Sequence, residues 1–245
     1  MGEPQLNSID PKVAKMLQTY ANANFQSRLA IWRLQLRLVL WALHIQGMRK
    51  LKRLLDLSIL TLALPIVLPV GLLTVLAIRL ESPGPAIFRQ TRVGKWGQLF
   101  TCYKFRSMYM DAEERKQELM AVNEADGPVF KMHNDPRVTR VGRIIRKLSI
   151  DELPQLINIW KGDMTFVGPR PPLPNEVSEY EFEQRRRLDV VPGLTGLQQV
   201  SGRSDLSFER WVELDLEYIN KQNLWNDIVI LLKTVPTVIF GRGAY

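Results

Sequence analysis

The sequence has few of the residues from which many metal sites and nucleophilic sites are built. Its 245 residues include a single cysteine, Cys102, which excludes an internal disulfide framework and a cysteine-rich zinc site. The two histidines, His44 and His133, are too few for a multi-histidine metal site, and a Ser-His-Asp site would depend on one of them. Neither a P-loop nor a dinucleotide-binding glycine fingerprint is present. If the protein is an enzyme, its chemistry is expected to use carboxylates, arginine and lysine.

The charge balance is positive. There are 33 Lys and Arg residues against 25 Asp and Glu residues, which gives a formal net charge of +8. Such an excess favours an anionic partner: a nucleic acid, an acidic lipid or a phosphorylated substrate. Because 46% of the residues are hydrophobic and 24% are charged, the chain is neither disordered nor a membrane bundle throughout.

One segment is apolar enough to enter a membrane. Leu57–Ile78 carries no charge, and a straight helix of that length covers ~33 Å, enough to cross a hydrocarbon core. Pro65 and Pro69 lie near its middle, where each removes a helical hydrogen bond. Basic residues flank both ends: Arg49, Lys50, Lys52 and Arg53 before it, and Arg79, Arg89, Arg92 and Lys95 after it. The positive-inside rule favours the cytoplasmic side for both clusters, and a straight span must export one of them. Two interpretations remain open: a kinked single span, since prolines are tolerated in membrane helices, or a helix that breaks at the prolines and returns to the same face.

The rest of the chain divides around this membrane segment, residues 50–80. Residues 1–27 are polar and are predicted to be a poorly ordered extension. Residues 28–48 combine Trp, Leu and Arg in a pattern that predicts an amphipathic helix in the membrane interface, or else a helix packed on the soluble domain. Residues 81–245 have the composition of a soluble α/β domain. The predicted fold is thus α/β and mostly helical, with a membrane-associated part.

Within residues 81–245 the pattern predicts individual elements. Two short strands, Ala86–Arg92 and Leu99–Ser107, are expected around a glycine-containing turn. Glu176–Arg187 is predicted to be a surface helix, Ser207–Tyr218 another helix, and Trp225–Phe240 an apolar amphipathic segment.

The sharpest local feature is the acidic pair Asp151 and Glu152, which follows basic residues and opens an apolar helix. Ser149 with Glu152 three residues later fits a capping box, which is a structural role. Pro154 argues partly against Ser149 as the cap and suits Asp151 better, since Pro154 then falls inside the first turn. In either arrangement Asp151 lies at a helix N-terminus, where free N–H groups favour a phosphate.

Several charged residues are candidates to accompany this pair. Lys104 and Arg106 are two apart in a predicted strand and share one face, although such a face is usually solvated. Arg170 has a proline on each side, which restricts where its guanidinium can reach. Asp215 lies in an apolar-periodic helix and on its own is typical of a surface acid. If the segment is helical, a basic stripe is formed by Arg137, Arg140, Arg143 and Arg146. Such a stripe is either exposed to solvent or in contact with acidic lipid headgroups.

Together these stretches resemble the bacterial sugar transferases, the monotopic phosphoglycosyl transferases that load a sugar phosphate onto undecaprenyl phosphate. The resemblance covers about residues 50–245. The matching stretches are, in order, KRLLD, the apolar segment, SPGP, FRQTRVG, YKFRSM, DPRVTRVGRIIRKLSIDELPQLINIWKGDMTFVGPRP, PGLTGLQQVSGR, LDLEYI and GRGAY. The run that contains DELPQL, GDM and VGPRP is highly specific.

The resemblance implies a re-entrant membrane helix for residues 50–80 and a cytoplasmic catalytic domain for residues 81–245, at the bacterial inner (plasma) membrane. It also implies a two-step reaction of exopolysaccharide, capsule or O-antigen synthesis. In the first step Asp151 attacks the sugar-side phosphorus of a UDP-sugar and UMP leaves. In the second step undecaprenyl phosphate takes the phosphosugar from the aspartate.

The resemblance assigns further roles around Asp151. Glu152 would hold Mg²⁺, and Arg146 and Arg170 would neutralise phosphate charge. Lys104 and Arg106 match the basic strand of the family, and Asp215 matches an acidic position of its site. Charge neutralisation is what this chemistry needs, because a carboxylate that attacks a diphosphate brings two anions together.

The expected partners are a UDP-sugar, undecaprenyl phosphate and the anionic cytoplasmic leaflet, and a homodimer is one option. Nucleic acid is not expected, because no recognised module appears and a membrane segment explains the charge. The rival interpretation is a non-catalytic anchor or scaffold of a polysaccharide assembly complex, which loss of the acidic pair would favour; both acids are present. The runs SGRSD and GRGAY favour UDP-glucose or UDP-galactose as the donor, but the sequence identifies no residue that reads the hexose.

Overall fold

The computed structural model describes residues 13–16, 27–119, 123–124, 128, 130, 132, 134–202 and 206–239. The chain divides into two compact units, Met1–Leu51 and Lys52–Tyr245. Most of the polar extension predicted for residues 1–27 lies outside the described residues, as does the GRGAY stretch.

Helix α1 (Ser27–Glu81) contains the whole apolar segment. By length and composition it is able to cross a membrane. The sequence predicts separate helices over residues 28–48 and 50–80, whereas the structure has one helix that continues through Pro65 and Pro69. A proline removes one backbone donor and bends a helix without necessarily ending it. The re-entrant bend therefore stays a prediction.

The first sheet is a hairpin that confirms the two predicted strands. Strand β1 (Ile87–Val93) pairs antiparallel with β2 (Leu99–Phe105), and a 3₁₀ turn over Lys95–Gly97 joins them. In this register Lys104 lies opposite Phe88, close to the end of the hairpin that is farthest from the turn.

The other elements follow in chain order. The helices are α2 (Ala112–Leu119), α3 (Arg140–Lys147), a 3₁₀ helix (Ile150–Gln155), α4 (Leu156–Lys161), α5 (Pro174–Ser178), α6 (Phe182–Arg185), a 3₁₀ turn (Arg186–Leu188), α7 (Leu197–Ser201), α8 (Phe208–Asn220) and α9 (Leu224–Ile239). Strands β3 (Thr165–Val167) and β4 (Gly193–Thr195) form a parallel pair. The last two helices confirm the predicted helix at 207–218 and the predicted amphipathic segment at 225–240.

The single surface helix predicted over residues 176–187 is wrong. The structure divides it into α5, α6 and the following 3₁₀ turn, and the break falls at Tyr180. Tyr180 is buried, its ring centroid is 5.8 Å from that of Phe208, and its hydroxyl accepts a hydrogen bond of 2.6 Å from Arg187. A tertiary contact thus overrides the helical pattern.

The apolar core joins the second half of α1 to the rest of the Lys52–Tyr245 unit. One cluster of buried side chains consists of Leu60, Cys102, Leu156, Ile159, Met164, Phe166, Val167, Tyr218 and Ile230. The other consists of Ile78, Ala86, Phe105 and Ile145. Because Leu60 and Ile78 both belong to α1, this part of the apolar helix is an integral part of the domain.

Polar contacts at the start of this unit fasten α1 to the other elements. Lys52 Nζ donates to the carbonyl oxygen of Val167 at 2.9 Å and pairs with Asp227 Oδ2 at 2.5 Å. Asp56 accepts a hydrogen bond of 2.7 Å from the hydroxyl of Thr165. These residues belong to the KRLLD stretch, which is therefore a docking element for α1.

Arg53 completes this attachment. Its guanidinium donates to the carbonyl oxygen of Ile159 and, at 2.6 Å, to that of Trp160, so it binds the end of α4. From the sequence, Lys52 and Arg53 are expected to be flanking charges of the apolar segment that bear on its membrane orientation. In the structure both cations are engaged by groups of the domain itself.

Candidate active site

A cavity of about 1380 Å³ brings together most of the predicted site residues. The predicted residues that line it are Lys104, Arg106, Arg146, Asp151, Glu152 and Arg170. Asp215 is not among the lining residues. The cavity lies wholly within the Lys52–Tyr245 unit.

Asp151 occupies the first turn of the 3₁₀ helix Ile150–Gln155 and is 9% exposed. The preceding Ser149 has a φ of 54°, in the left-handed region, and its side chain does not cap the helix. The capping box considered for Ser149 and Glu152 is therefore not formed. Left-handed backbone at a non-glycine residue costs about 1 kcal/mol or more, and here it occurs two residues from the carboxylate that the sequence singles out.

Opposing influences act on the pKa of Asp151. Burial is the largest and raises the pKa to about 6. Lys104 lowers it and Glu152 raises it, while Arg146 and Arg170 also lower it. The carboxylate is consequently mostly ionised at neutral pH, and three cations act on it.

Lys104 connects the hairpin to the acidic pair. Its Nζ lies 2.8 Å from Oε1 of Glu152, and both side chains are largely buried. Arg146 reaches the cavity from the last turn of α3. Lys104, a predicted site residue on a strand face that could also have been solvated, thus lines the cavity.

The proline-rich stretch that carries Arg170 is held by strand β1. Arg92, which is buried, donates to the carbonyl oxygen of Pro171 at 2.9 Å, and the Val93 amide donates to the carbonyl oxygen of Pro172 at 2.9 Å. Within the described part of the chain, the Arg170 side chain itself forms no hydrogen bond, so its guanidinium is available to an anionic ligand. From the sequence Arg92 is only a charge that flanks the apolar segment, because a partner 79 residues away leaves no local signal.

Arg106 is held differently from the other predicted cations. Its guanidinium donates to the carbonyl oxygen of Pro83 at 2.6 Å, and to the carbonyl oxygen and hydroxyl of Ser82 at 2.8 and 2.9 Å. Gly84 has a φ of 108°, and a Cβ atom there would lie 2.5 Å from Nη1 of Arg106. The SPGP turn therefore packs closely against the guanidinium of Arg106 and is hydrogen-bonded to it. Contact of Arg106 with the substrate stays a prediction.

Asp215 forms a buried ion pair away from the cavity wall. Its Oδ2 lies 2.8 Å from Nη2 of Arg187, and each side chain is 1% exposed. Burial raises the pKa of Asp215 to about 6, although Arg187 lowers it. The pair fixes α8, which places Trp211 on the cavity wall one turn before Asp215.

Part of the cavity lining is apolar. It consists of Ile59 and Val75 from α1, and of Leu231, Val235 and Val238 from α9. The same cavity is therefore lined by ionised groups and by side chains of the helix that is able to cross a membrane. The amphipathic pattern of residues 225–240 indicated a buried face for α9, but not that this face lines a site.

The donor set of the cavity suits a hard cation that is also held by substrate. No group of three or more His, Cys, Asp or Glu side chains that could hold a metal occurs among the described residues. Mg²⁺ is commonly bound through one or two carboxylates together with substrate phosphates. Asp151 and Glu152, adjacent on the cavity wall, fit that mode.

The family model described as bacterial sugar transferase matches residues 47–241. The galactosyl transferase CpsE of Streptococcus agalactiae is 48% identical over 194 residues, which are 79% of this chain and 43% of that protein. The undecaprenyl-phosphate galactose phosphotransferase of Salmonella typhimurium is 50% identical over 169 residues, 66% of this chain and 35% of that protein. The exopolysaccharide production protein ExoY of Rhizobium meliloti is 40% identical over 198 residues, 79% of this chain and 88% of that protein.

The chain thus spans less than half the length of the first two relatives and most of the length of the third. In each case the matched part is as long as, or nearly as long as, the whole Lys52–Tyr245 unit that contains the cavity.

Proposed function

This chain belongs to the bacterial sugar transferase family, and from that premise we propose that it transfers a hexose 1-phosphate from a UDP-sugar to undecaprenyl phosphate and releases UMP. The observation that carries the proposal is the buried Asp151 carboxylate, which lies in a cavity beside the cations of Lys104, Arg146 and Arg170. The proposed product is the lipid-linked sugar that starts a polysaccharide such as an exopolysaccharide or a capsule. The names of similar proteins support that context.

Asp151 is the proposed nucleophile. One carboxylate oxygen forms a bond to the phosphorus that bears the sugar, and the bond from that phosphorus to the bridging oxygen breaks, so that the oxygen leaves with UMP. The sugar phosphate is then attached to Asp151 as an acyl phosphate. A phosphate oxygen of undecaprenyl phosphate next forms a bond to the same phosphorus and the carboxylate leaves, which restores Asp151 and yields undecaprenyl-diphosphate-sugar.

The neighbouring cations supply the stabilisation that these steps need. Negative charge builds up on the transferred phosphoryl group, and preorganised positive groups lower the barrier more in a cavity than in water. Arg170 has no hydrogen bond within the described residues and is the proposed direct phosphate ligand. Lys104 keeps Asp151 ionised through its charge. No base has to deprotonate the nucleophile, because a carboxyl group with a pKa of about 6 is already an anion at neutral pH.

We further propose that Glu152, with Asp151 beside it, holds Mg²⁺. When bound, this cation neutralises charge on the diphosphate. Glu152 is fixed on the cavity wall by its ion pair with Lys104.

The apolar part of the cavity lining is the proposed path of the polyprenyl chain. Its lining by α1 and α9 allows the lipid phosphate to reach Asp151 while the tail stays among apolar side chains. This arrangement requires the catalytic unit to lie at the cytoplasmic face of the bacterial plasma membrane. A re-entrant α1, bent at Pro65 and Pro69, is the proposed anchor, because it keeps the basic residues at both ends on that face.

The test is UMP release from a panel of UDP-sugars with Mg²⁺, with and without undecaprenyl phosphate. Acceptor-dependent turnover of at least one donor is expected, together with one equivalent of UMP per enzyme when the acceptor is absent. Asp151→Asn is expected to abolish both, whereas the matched control Asp189→Asn, at an exposed carboxylate, retains them. Near-normal turnover by Asp151→Asn in folded protein would exclude Asp151 as the nucleophile.

A further inference from the structure

The last residue of the apolar helix is an acid that serves a different helix. Glu81 ends α1, and its carboxylate accepts hydrogen bonds of 2.7 and 2.9 Å from the backbone amides of Arg140 and Val141, the first two residues of α3. The first amides of an α-helix have no acceptor within the helix, so Glu81 supplies two that are missing. A negative charge is unfavourable at the C-terminal end of a helix and favourable at the N-terminal end. The position of Glu81 therefore suits α3 rather than α1.

The same end of α3 is fixed from a second side. Thr139 is its N-cap and accepts a hydrogen bond of 2.8 Å from the amide of Gly142, while its own amide donates to the carbonyl oxygen of Ser107 at 3.1 Å. A Cβ atom at position 142 would collide with that carbonyl oxygen, so the start of α3 packs directly on the chain that leaves β2. Glu81 and Thr139 together accept the amides of the first three residues of α3.

Apolar contacts join α1 and α3 as well. Ile78 of α1 and Ile145 of α3 belong to one buried cluster. Burial of apolar surface holds the two helices together but is not directional. Hydrogen bonds are directional, so the bonds to Glu81 and Thr139 set the orientation of α3.

The other end of α3 reaches the site. Arg146, in the last turn of α3, lines the cavity. Burial raises the pKa of Asp151, and the charge of Arg146 is among those that lower it, so this cation lies close to the carboxylate. Along a helix axis Arg140 and Arg146 are about 9 Å apart, so a tilt of about 6° at the start of α3 displaces Arg146 by ~1 Å. A misplacement of about 1 Å can reduce a rate about 100-fold.

We propose that Glu81 is a positioning residue for the phosphoryl transfer: it orients α3 so that Arg146 reaches the phosphoryl group held at Asp151. This inference rests on the proposed function. Glu81 does not line the cavity and acts through Arg146. Because Glu81 also ends the helix that is able to cross a membrane, the end of that helix is part of the support of the site.

The test begins with two substitutions of equal length. Glu81→Met removes both acceptor oxygens, and Glu81→Gln keeps one of them. We expect kcat/KM for the UDP-sugar to fall about tenfold in Glu81→Met and about threefold in Glu81→Gln, because a displaced cation stabilises the transition state less. The loss is expected in kcat rather than in KM, since the charge that Arg146 neutralises builds up during the reaction. Glu179→Met, at an exposed glutamate outside the cavity, is the matched control and leaves both constants unchanged.

A double-mutant cycle decides whether Glu81 acts through Arg146. In Arg146→Met, a further Glu81→Met substitution is expected to lower kcat/KM less than about twofold, because the group that it displaces is already absent. In Arg170→Met, whose arginine lies outside α3, the full tenfold loss is expected to remain. A tenfold loss in the Arg146→Met protein would overturn the proposal. So would a Glu81→Met protein in which Tm falls and kcat/KM does not, because Glu81 would then be only a helix cap. If Glu81→Met does not fold, the same cycle with Glu81→Gln and its threefold loss decides.

A binding measurement separates this inference from the proposed function. The affinity for UDP with Mg²⁺ is measured on the wild type, Glu81→Met, Arg146→Met and the double variant. If the wild type releases no UMP from any donor, the proposed reaction fails, but a loss of UDP affinity that Glu81→Met causes only while Arg146 is present still supports the positioning role. Independent effects of the two substitutions on UDP affinity and on kcat/KM, or an Arg146→Met protein unchanged in both, would overturn it even if the transfer is confirmed.

Discussion

Lys104 Nζ lies 2.8 Å from Oε1 of Glu152, and this ion pair joins strand β2 to the 3₁₀ helix that carries Asp151. The same lysine is the cation with the greatest lowering effect on the pKa of Asp151. One side chain thus fixes the neighbour of the proposed nucleophile and favours the ionised form of the nucleophile itself.

Replacement of this lysine is expected to move the pH profile of the reaction. In Lys104→Met the pKa of Asp151 rises, because the largest opposing charge is lost while burial and Glu152 still act. The acidic limb of log kcat/KM against pH therefore shifts to higher pH, and activity falls more at pH 6 than at pH 8. Lys161→Met is the control, since Lys161, within the described part of the chain, donates to the hydroxyl of Tyr103 at 3.1 Å and lies over the ring of that residue, away from the acidic pair. A uniform loss at every pH would contradict the electrostatic role.

Asp151 is also expected to reduce the stability of the folded protein. Burial raises its pKa from 3.8 to about 6, so folding disfavours the ionised form. The stability that the protonated carboxyl contributes is complete below pH 4 and is lost as pH rises through 6. Asp151→Asn should therefore raise Tm at pH 8, by the equivalent of ~3 kcal/mol, and change it little at pH 4. Thermal unfolding at the two pH values measures this difference, and an equal change at both would contradict it.

The sequence predicts the elements whose causes are local. The alternating residues on each side of a glycine-containing turn predict the hairpin, and Asp151 lies in the first turn of a helix as its spacing indicates. Pro154 also lies within that helix, where it has no N–H to donate. The acidic pair and its cations were identified because they occur in one specific run.

Long-range partners explain what the sequence did not reveal. Lys52 binds groups 115 and 175 residues away, and Arg106 binds a turn 24 residues before it. A basic side chain in this sequence can therefore attach α1 to the domain, support a turn or line the cavity. No periodicity along the chain distinguishes these cases.

The attachment of α1 can be tested through Lys52. Asp227 is 3% exposed, and its carboxylate also accepts a hydrogen bond of 2.7 Å from Tyr218. Lys52→Met leaves this buried carboxylate without its cation, so we expect a loss of about 3–5 kcal/mol in the free energy of unfolding. Unfolding of the detergent-solubilised protein, followed by circular dichroism, measures this loss.

Two further variants make that result specific. The double variant Lys52→Met with Asp227→Asn should recover part of the stability, because no buried charge then remains unpaired. Glu213→Gln, which breaks the exposed pair with Arg210, should change the stability by no more than about 0.5 kcal/mol. Equal effects of Lys52→Met and Glu213→Gln would show that the buried pair does not fasten α1.

Arg106 and Arg170 have the same predicted role but different surroundings, and substitution should separate them. Arg106→Met removes three hydrogen bonds to Ser82 and Pro83, so the SPGP turn loses its support and Tm falls. Arg170→Met breaks no hydrogen bond of the described residues, so Tm stays close to that of the wild type while kcat/KM for the UDP-sugar falls about 100-fold or more, as expected for a lost cation at a phosphoryl group. Arg143→Met, at an exposed arginine of α3, controls for loss of positive charge alone. If Arg170→Met lowers Tm as much as Arg106→Met does, the guanidinium of Arg170 supports the fold rather than the reaction. If Arg106→Met leaves Tm unchanged and lowers only kcat/KM, the SPGP turn does not depend on Arg106.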